Sequence, residues 1–389
     1  MKTVAVLGGG PAGAFAAERL ASAGLRTIVI DEKLAWEKPC GGGLTYKAYS
    51  QYPFLLENDA PKKLVTHTYL SSASGGTARL DLTRPLLIYS RYELNSMLLK
   101  RAEKAGAQLE KARVLAVHRC SNGWKLRTRT GDLDADFCVV ATGARNTLRD
   151  FGTQYSAADT MVALGYYIPA EQDHVDIQFF AGFEGYIWVF PRNGHLSAGI
   201  CGKGESAQVL RARLERYLAD NGISLKDATF YGHVLPSLEK PAWRDNRVGG
   251  DRWLAVGDAA GLVDPVTGEG LYYAVRSADL AARVLLEDSR EVTEEYRALL
   301  RSEFTDDLEL ASRLAKKLFL GRFIYNDVPA RMIQFMRRSP TFCEIMQDLF
   351  AGTQNYLELK SRLIEGLNGT LRELVMNLYF RRMVPSPGR

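Results

Sequence analysis

The chain opens with a short run, KTVAVLGGG, that is apolar on both faces, as a buried parallel strand requires. PAGAFAAERLASAG predicts an alanine-rich helix closed by Gly24. RTIVID predicts a second two-faced apolar strand, ending on an acid, so the opening residues read as a βαβ unit. EKLAWEKPCGGGLTYKA predicts a loop, because a proline and three consecutive glycines oppose a long regular element. RYELNSMLLKRAEKAGA predicts a helix ending near Gly106. ARVLAVHRC, GWKLRTRT and DADFCVVATG predict a β-meander, with turns at Asn122–Gly123 and Thr130–Gly131, whose last strand rejoins the parallel sheet.

The pattern then changes. Over 160–235 the segments HVDIQFF, YIWVF and HLSAGIC predict an antiparallel meander with turns at AGFEG and PRNG. In GYIWVFPRNG, Tyr186, Trp188 and Phe190 lie two apart and share one strand face, while Ile187 and Val189 take the other. Pro191 is expected to end that strand, since it cannot donate to a ladder. RWLAVGDAAG returns to a buried strand, and EGLYYAVRSADLAARVLLE predicts a helix. From Thr293 onward the chain reads helical, with a stripe formed by Tyr296, Leu299, Leu300, Phe304, Leu308, Ala311, Leu314 and Leu318. Ser339–Pro340 predicts a helix start.

At 389 residues the chain exceeds one ordinary core, and roughly two or three packed units are expected. The predicted fold class is α/β: a discontinuous Rossmann-type domain (1–55, 91–155 and 241–290), an antiparallel β domain (56–90 and 156–240) and a helical C-terminal region (291–389). The five cysteines are scattered without C-x-x-C spacing, which argues against a disulfide framework or a zinc site and for a reducing cytoplasm. No metal is expected. The net charge of +5 is mild and does not call for nucleic acid. MKTVAVLGGG is not expected to act as a secretory signal, and no apolar run is long enough to cross a bilayer.

Gly8, Gly10 and Gly13 form G-x-G-x-x-G between the first strand and the first helix, with Pro11 and Ala12 at the helix start. Gly8 permits the tight turn, Gly10 lets a pyrophosphate approach the backbone, and Gly13 lets helix and strand pack closely. Unpaired N–H groups of the helix N-terminus would face the phosphates. Asp31, followed by Glu32, ends the second strand where an acid meets ribose hydroxyls. FAD and NAD fingerprints look alike here, and distant segments favour FAD. VVATGA runs a buried strand into a small-residue turn at Ala141, Thr142 and Gly143. LAVGDAAGLVDPVTGEG places Gly257 and Asp258 at a strand end, where Asp258 can accept from a ribityl chain. Backbone N–H groups from Gly268 and Gly270 to Leu271, at a helix start, can face the flavin edge that becomes anionic on reduction.

Together G-x-G-x-x-G at 8–13, A-T-G at 141–143 and G-D at 257–258 resemble the FAD-dependent family of aromatic-ring hydroxylases, flavin halogenases and geranylgeranyl reductases. Arg91 resembles the arginine that opens this family's helix beside the cofactor, and Gly41 and Val114 join the expected FAD-binding set by the same resemblance. KPCGGGL at 38–44 resembles the P-C-G loop of geranylgeranyl reductases, and YIWVFPR at 186–192 their Tyr-x-Trp-x-Phe-Pro segment, with Arg where Lys is common. Halogenases have a partly similar segment whose first Trp is absent here. The resemblance covers the first 290 residues and no motif of the helical remainder. It implies that Tyr186, Trp188 and Phe190 line a prenyl-binding cavity and that reduced FAD saturates double bonds of a geranylgeranyl or related chain.

An isolated alkene is a poor hydride acceptor, so a proton donor is needed, and Cys40, Tyr186 or a flavin-bound water are the candidates. Cys40 is also expected to touch the cofactor. The expected electron donor is NADPH or reduced ferredoxin, since no second strand-linked G-x-G-x-x-G exists. The expected partners are an isoprenoid lipid or prenyl diphosphate, a ferredoxin, and the inner face of a membrane through the basic, apolar segments 313–338 and 371–383. Competing readings are an FAD monooxygenase or halogenase acting on an aromatic, a flavoprotein electron carrier or lipid-binding protein without turnover, and a plain NAD dehydrogenase.

Overall fold

The computed structural model describes residues 2–287, 291–323 and 325–366, and segment 371–383 lies outside them. The first strand, Thr3–Leu7, sits mid-sheet, between Arg26–Ile30 and Phe137–Val140 and parallel to both. Gln108–Glu110 extends the sheet on one side; Trp253–Ala255 and the antiparallel Gly249–Gly250 extend it on the other. Val4, Ala5, Val6 and Leu7 are all at most 3% exposed, which explains the two-faced apolar pattern. The chain leaves Thr3–Leu7 toward Arg26–Ile30 and later returns on its other flank. That reversal opens a crevice at the carboxyl ends of the strands, where α/β sheets take their ligands. Helix Pro11–Ser22 packs between helices Arg91–Lys104 and Leu271–Leu286.

A second, eight-stranded sheet runs in the order Thr229–Pro236, Thr160–Ile168, His195–Gly202, Gly185–Arg192, Val175–Phe179, Lys62–Ser72, Gly76–Tyr89 and Gly43–Leu44. Its pairings are antiparallel except that of Val175–Phe179 with Lys62–Ser72. Strand Gly185–Arg192 divides its side chains as its alternation requires. Ile187 and Val189 pack under helix Ala207–Asp220, through Leu210, Leu214 and Leu218. Trp188 joins Ile177 and Phe179 on the opposite face, against Ala315, Phe319, Ile333 and Met346 of the C-terminal helices. This is the mixed α/β fold expected from the pattern: a parallel nucleotide-type sheet, an antiparallel sheet and a helical C-terminal region.

Three local expectations fail, and one stretch of the expected β domain is given its strands. The loop after Asp31 ends earlier than expected, because Gly43–Leu44 pairs with Leu87 and Ile88 and a short helix follows at Tyr46–Gln51; the glycines stop at Gly43 and a helix-compatible run takes over. Lys62–Ser72 and Gly76–Tyr89 form a long hairpin whose bounds the pattern left undrawn. Pro191 does not end its strand. The ladder to His195–Gly202 continues through Pro191 and Arg192, while the neighbour on the other side pairs only as far as Val189, so proline's missing donor falls on an edge that has run out of partner. A small hairpin, Arg322–Phe323 with Asn326–Asp327, interrupts the helical region. Ser339 does cap its helix, its hydroxyl accepting from Phe342 N at 3.1 Å. Among the described residues no helix is long and apolar enough to cross a membrane.

Candidate active site

Both sheets and the C-terminal helices face one cavity of about 1790 Å³. Its polar end lies at the crevice of the parallel sheet. A Cβ on Gly8 would overlap the carbonyl of Ala141, and one on Gly13 the carbonyl of Gly8. These two glycines therefore weld the first turn to the strand Phe137–Val140. Around Gly10 a Cβ would meet nothing within 4 Å, so the backbone there is open to the cavity. Gly8, Gly10, Pro11 and Ala12 line the wall; Gly13 and Gly257 do not, and lie behind it as packing glycines. Asp31 Oδ2 accepts from Gly9 N at 2.7 Å, and Oδ1 accepts from Lys33 N and Leu34 N. It braces the turn and keeps lone pairs toward the cavity. Glu32 is also at the wall, solvent-exposed beside Arg113 and Arg129.

Val114, Ala141, Thr142 and Gly143 continue this wall. Arg91 also reaches it, but as a side chain only 4% exposed. Its Nε, Thr142 Oγ1 and His233 Nε2 have no hydrogen-bond partner among the described residues. Buried polar atoms are seldom left so, and three around one crevice suit a polar ligand. Asp258 pairs with Lys38 at 3.1 Å, and its backbone carbonyl accepts from the Tyr155 hydroxyl. Burial is the largest single influence and raises the Asp258 carboxyl, but the Lys38 charge and hydrogen bond, together with smaller contributions from nearby groups such as Arg91, outweigh it and hold the acid below its ordinary range. Burial, then the Lys38 charge, lowers the His233 imidazole, keeping it neutral.

The Cys40 loop joins the two sheets. Arg192, fully buried, donates Nη1 to Glu37 Oε1 at 2.5 Å, Nη2 to the Cys40 carbonyl and Nε to the Gly41 carbonyl. Ser197 Oγ donates to the same Cys40 carbonyl at 2.9 Å. Glu37 in turn accepts from Arg91 N and Tyr92 N and so caps the helix Arg91–Lys104. Gly42 has a φ of +89°, and a Cβ there would overlap the Tyr89 carbonyl. The Cys40 thiol accepts from Gly42 N at 3.3 Å, and both Cys40 and Gly41 line the cavity.

Beyond this loop the wall turns apolar. Tyr186, Trp188 and Phe190 all reach it. Phe190 lies against the glycines of the loop, 3.2 Å from where a Gly41 Cβ would stand. Trp188 lies over Gly199, where a Cβ would overlap its ring. Tyr186 stacks on Phe319 with centroids 6.3 Å apart and donates its hydroxyl to the Thr267 carbonyl. Burial keeps that phenol protonated, far above its ordinary range. Leu314, Leu318, Met332, Phe335, Met346 and Leu349 of the C-terminal helices line the far end. Gly268, Gly270 and Leu271 border the junction of the polar and apolar ends.

Four wall residues escaped the sequence reading, Glu37, Lys38, His233 and Glu269, and so did Arg192, buried behind the wall. Lys38 and Arg192 fell inside quoted motifs but carried no role. Glu269 sits in TGEG beside two selected glycines; a charge between glycines at a helix start was the available signal. Its Oε1 accepts from Thr45 Oγ1 at 3.1 Å. Burial, reinforced by Asp264, pushes its carboxyl up to about 7. Thus the structure brings together one polar crevice, one apolar hollow and a carboxyl group that titrates near neutrality between them.

Comparison with known proteins agrees with this geometry. The family described as pyridine nucleotide-disulphide oxidoreductase matches residues 2–160. The menaquinone reductase of Mycobacterium tuberculosis is 30% identical over 358 residues, 85% of this chain and 87% of the relative. The chloroplastic geranylgeranyl diphosphate reductase of Arabidopsis thaliana is 30% identical over 319 residues, 74% of this chain and 66% of the relative. A geranylgeranyl bacteriochlorophyll reductase-like structure from Thermoplasma acidophilum superposes with a TM-score of 0.77 at 23% identity, covering 94% of this chain and 99% of the other. A flavin-dependent brominase superposes with a TM-score of 0.69 at 16% identity, covering 90% and 93%. At these identities the two structures speak for the fold alone.

Proposed function

The chain belongs to the family of FAD-dependent oxidoreductases that includes menaquinone and geranylgeranyl diphosphate reductases, and on that premise we propose that it saturates carbon–carbon double bonds of an isoprenoid chain. The substrate is a prenyl tail carried on a diphosphate or a quinone. One observation supports this above others: the polar crevice that suits a dinucleotide opens without interruption into a hollow walled by Tyr186, Trp188, Phe190 and the C-terminal helices.

FAD fits the polar end. Gly8, Gly10, Pro11 and Ala12 would take the pyrophosphate, with Asp31 and Glu32 at the adenosine ribose. Asp258, Arg91 and Thr142 offer polar atoms to the remainder, and Ala141, Gly143, Gly268, Gly270 and Leu271 supply close backbone. When bound and reduced, FAD supplies a hydride. The protein's part is to position the chain and exclude water. Tyr186, Trp188 and Phe190 hold the tail by apolar contact, and Cys40 and Gly41 set the edge where tail meets cofactor. NADPH or reduced ferredoxin is the proposed source of electrons. Leu320, Phe323 and Tyr325 are exposed beside Lys316, Lys317 and Arg322, which supports a peripheral contact with an anionic membrane.

The test is a single turnover. The protein is reduced without oxygen and mixed with geranylgeranyl diphosphate or a polyprenyl quinone, and the product is weighed by mass spectrometry. Stepwise gain of hydrogen in the tail is expected. A flavin that reoxidises with no change in any tail, or that consumes oxygen and NADPH on an aromatic, would overturn the reading.

A further inference from the structure

We propose that Glu269 is the acid that delivers the proton when an isoprenoid double bond is saturated in this cavity, an inference that rests on the function proposed above. Saturation adds a hydride to one alkene carbon and a proton to the other. The electron pair comes from the flavin, which the external donor has reduced. The proton has to come from the wall, because a hydrocarbon-filled hollow excludes bulk water.

The geometry selects Glu269. It lies between Gly268 and Gly270, directly before the helix Leu271–Leu286, where the polar crevice meets the apolar hollow. Its Oε1 accepts from Thr45 Oγ1 at 3.1 Å, the Thr45 backbone N–H also faces the carboxyl, and the residue lines the cavity. Asp264 and Asp258 of this wall are spoken for. Asp264, 5% exposed, accepts from Val266 N and Thr267 N on one oxygen and from the Tyr356 hydroxyl at 2.8 Å on the other. Asp258 is tied to Lys38. The Tyr186 proton is committed to the Thr267 carbonyl, and the Cys40 sulfur is turned to Gly42 N.

The charges around Glu269 favour its neutral form. Asp264 from the preceding turn repels a second anion. Lys47, on the helix Tyr46–Gln51, counters this only in part, since its ammonium sits over the Tyr272 ring, 4.6 Å from the centroid. Tyr272 and Tyr273 of the following helix are phenols raised by burial and stay neutral, as does Tyr356; Asp307 adds a further negative charge on the Asp264 side. With burial as the largest influence, the carboxyl titrates at about 7. A hydrocarbon tail drives water from the hollow and pushes it higher still. Filling the tunnel therefore loads the acid. After transfer Glu269 is a carboxylate, and it takes its proton back from water as the saturated chain leaves.

Two measurements test this. Oxidised protein is titrated above pH 7 with a fully saturated tail, which binds and cannot react, in buffers of different ionisation enthalpy. Wild type is expected to take up a fraction of a proton per tail bound; Glu269→Gln is expected to bind the tail without uptake. In single turnovers of reduced protein, Glu269→Gln is expected to slow saturation by about 100-fold or more with flavin content unchanged, and Glu269→Asp to restore part of the rate. The wild-type rate should fall as pH rises through the titration of this carboxyl. Equal uptake and equal rates in wild type and Glu269→Gln would overturn the role of Glu269 and leave the proposed function standing. Wild-type protein that alters no tail at all would overturn the proposed function, and this inference with it.

Discussion

At the scale of single residues, the site depends on atoms that are missing as much as on those present. Trp188 can lie flat over its neighbouring strand only because position 199 has no Cβ. Gly199→Ala must tilt the indole into the hollow. The expected result is a tail affinity reduced about tenfold, corresponding to some 1–2 kcal/mol of lost contact, with FAD content unchanged. Fluorescence titration with a saturated tail measures the first and the flavin absorbance the second. Glu269 adds a pH dependence whose sign is fixed. Its carboxyl is raised in the folded protein from an ordinary 4.5 to about 7. The folded state thus binds the proton more tightly than the unfolded chain. The stability this lends is complete below about 4.5 and is lost as pH climbs toward 7 and beyond. Thermal melts of wild type against Glu269→Gln should therefore diverge between these limits, with wild type falling as pH rises and the variant lacking that slope.

At the scale of elements, the loop 31–42 is held by side chains distant in sequence. Arg192 ends one strand, yet it grips the carbonyls of Cys40 and Gly41 and pairs with Glu37, whose carboxylate caps the helix opened by Arg91. One buried guanidinium thus joins both sheets and a helix. Arg192→Ala would remove the guanidinium donor from the Gly41 carbonyl and one of the donors from the Cys40 carbonyl and from Glu37, leaving that carboxylate without its counter-charge, and a stability loss of about 3–5 kcal/mol is expected, read by denaturant unfolding, together with weaker FAD retention. Arg192→Lys keeps the charge but not the fork, so an intermediate loss is expected. None of this could be read from order along the chain. The strand–helix–strand start, the A-T-G and G-D turns and the aromatic strand were legible because each carries its own period or punctuation. The meeting point of the three glycine-bearing turns was legible too, since each follows a strand of the parallel sheet, whereas the aromatic strand belongs to the other sheet. Glu37, Arg192 and Glu269 were not, because a charged residue next to a loop looks the same whether it faces solvent or a buried partner 155 residues away. Pro191 misled for a related reason: a proline stops a strand only where its missing donor was needed, and that depends on the neighbour's length.

At the scale of the whole molecule, neither end of the cavity is complete within one unit. The parallel sheet supplies the polar crevice and the antiparallel sheet the aromatic wall. The C-terminal helices, which carried no recognisable motif, close the far end through Leu314, Leu318, Met332 and Leu349. Cofactor affinity and tail length should therefore be separable by mutation, the first governed near Gly10 and the second near Met332. Met332 is only half-buried and borders the hollow, so Met332→Trp can fill space there without displacing the nucleotide crevice. FAD content and the reduction of short prenyl tails are expected to match wild type, while long tails lose efficiency by about tenfold or more. A series of prenyl diphosphates of rising length, compared by kcat/KM, measures this. An equal loss at every length would mean that the tail does not run toward these helices. Loss of FAD together with activity would mean instead that the helices hold the parallel sheet in shape. The expected outcome, a length cut-off with the flavin intact, follows if the hollow is one continuous tunnel that begins at the cofactor and ends under the C-terminal helices.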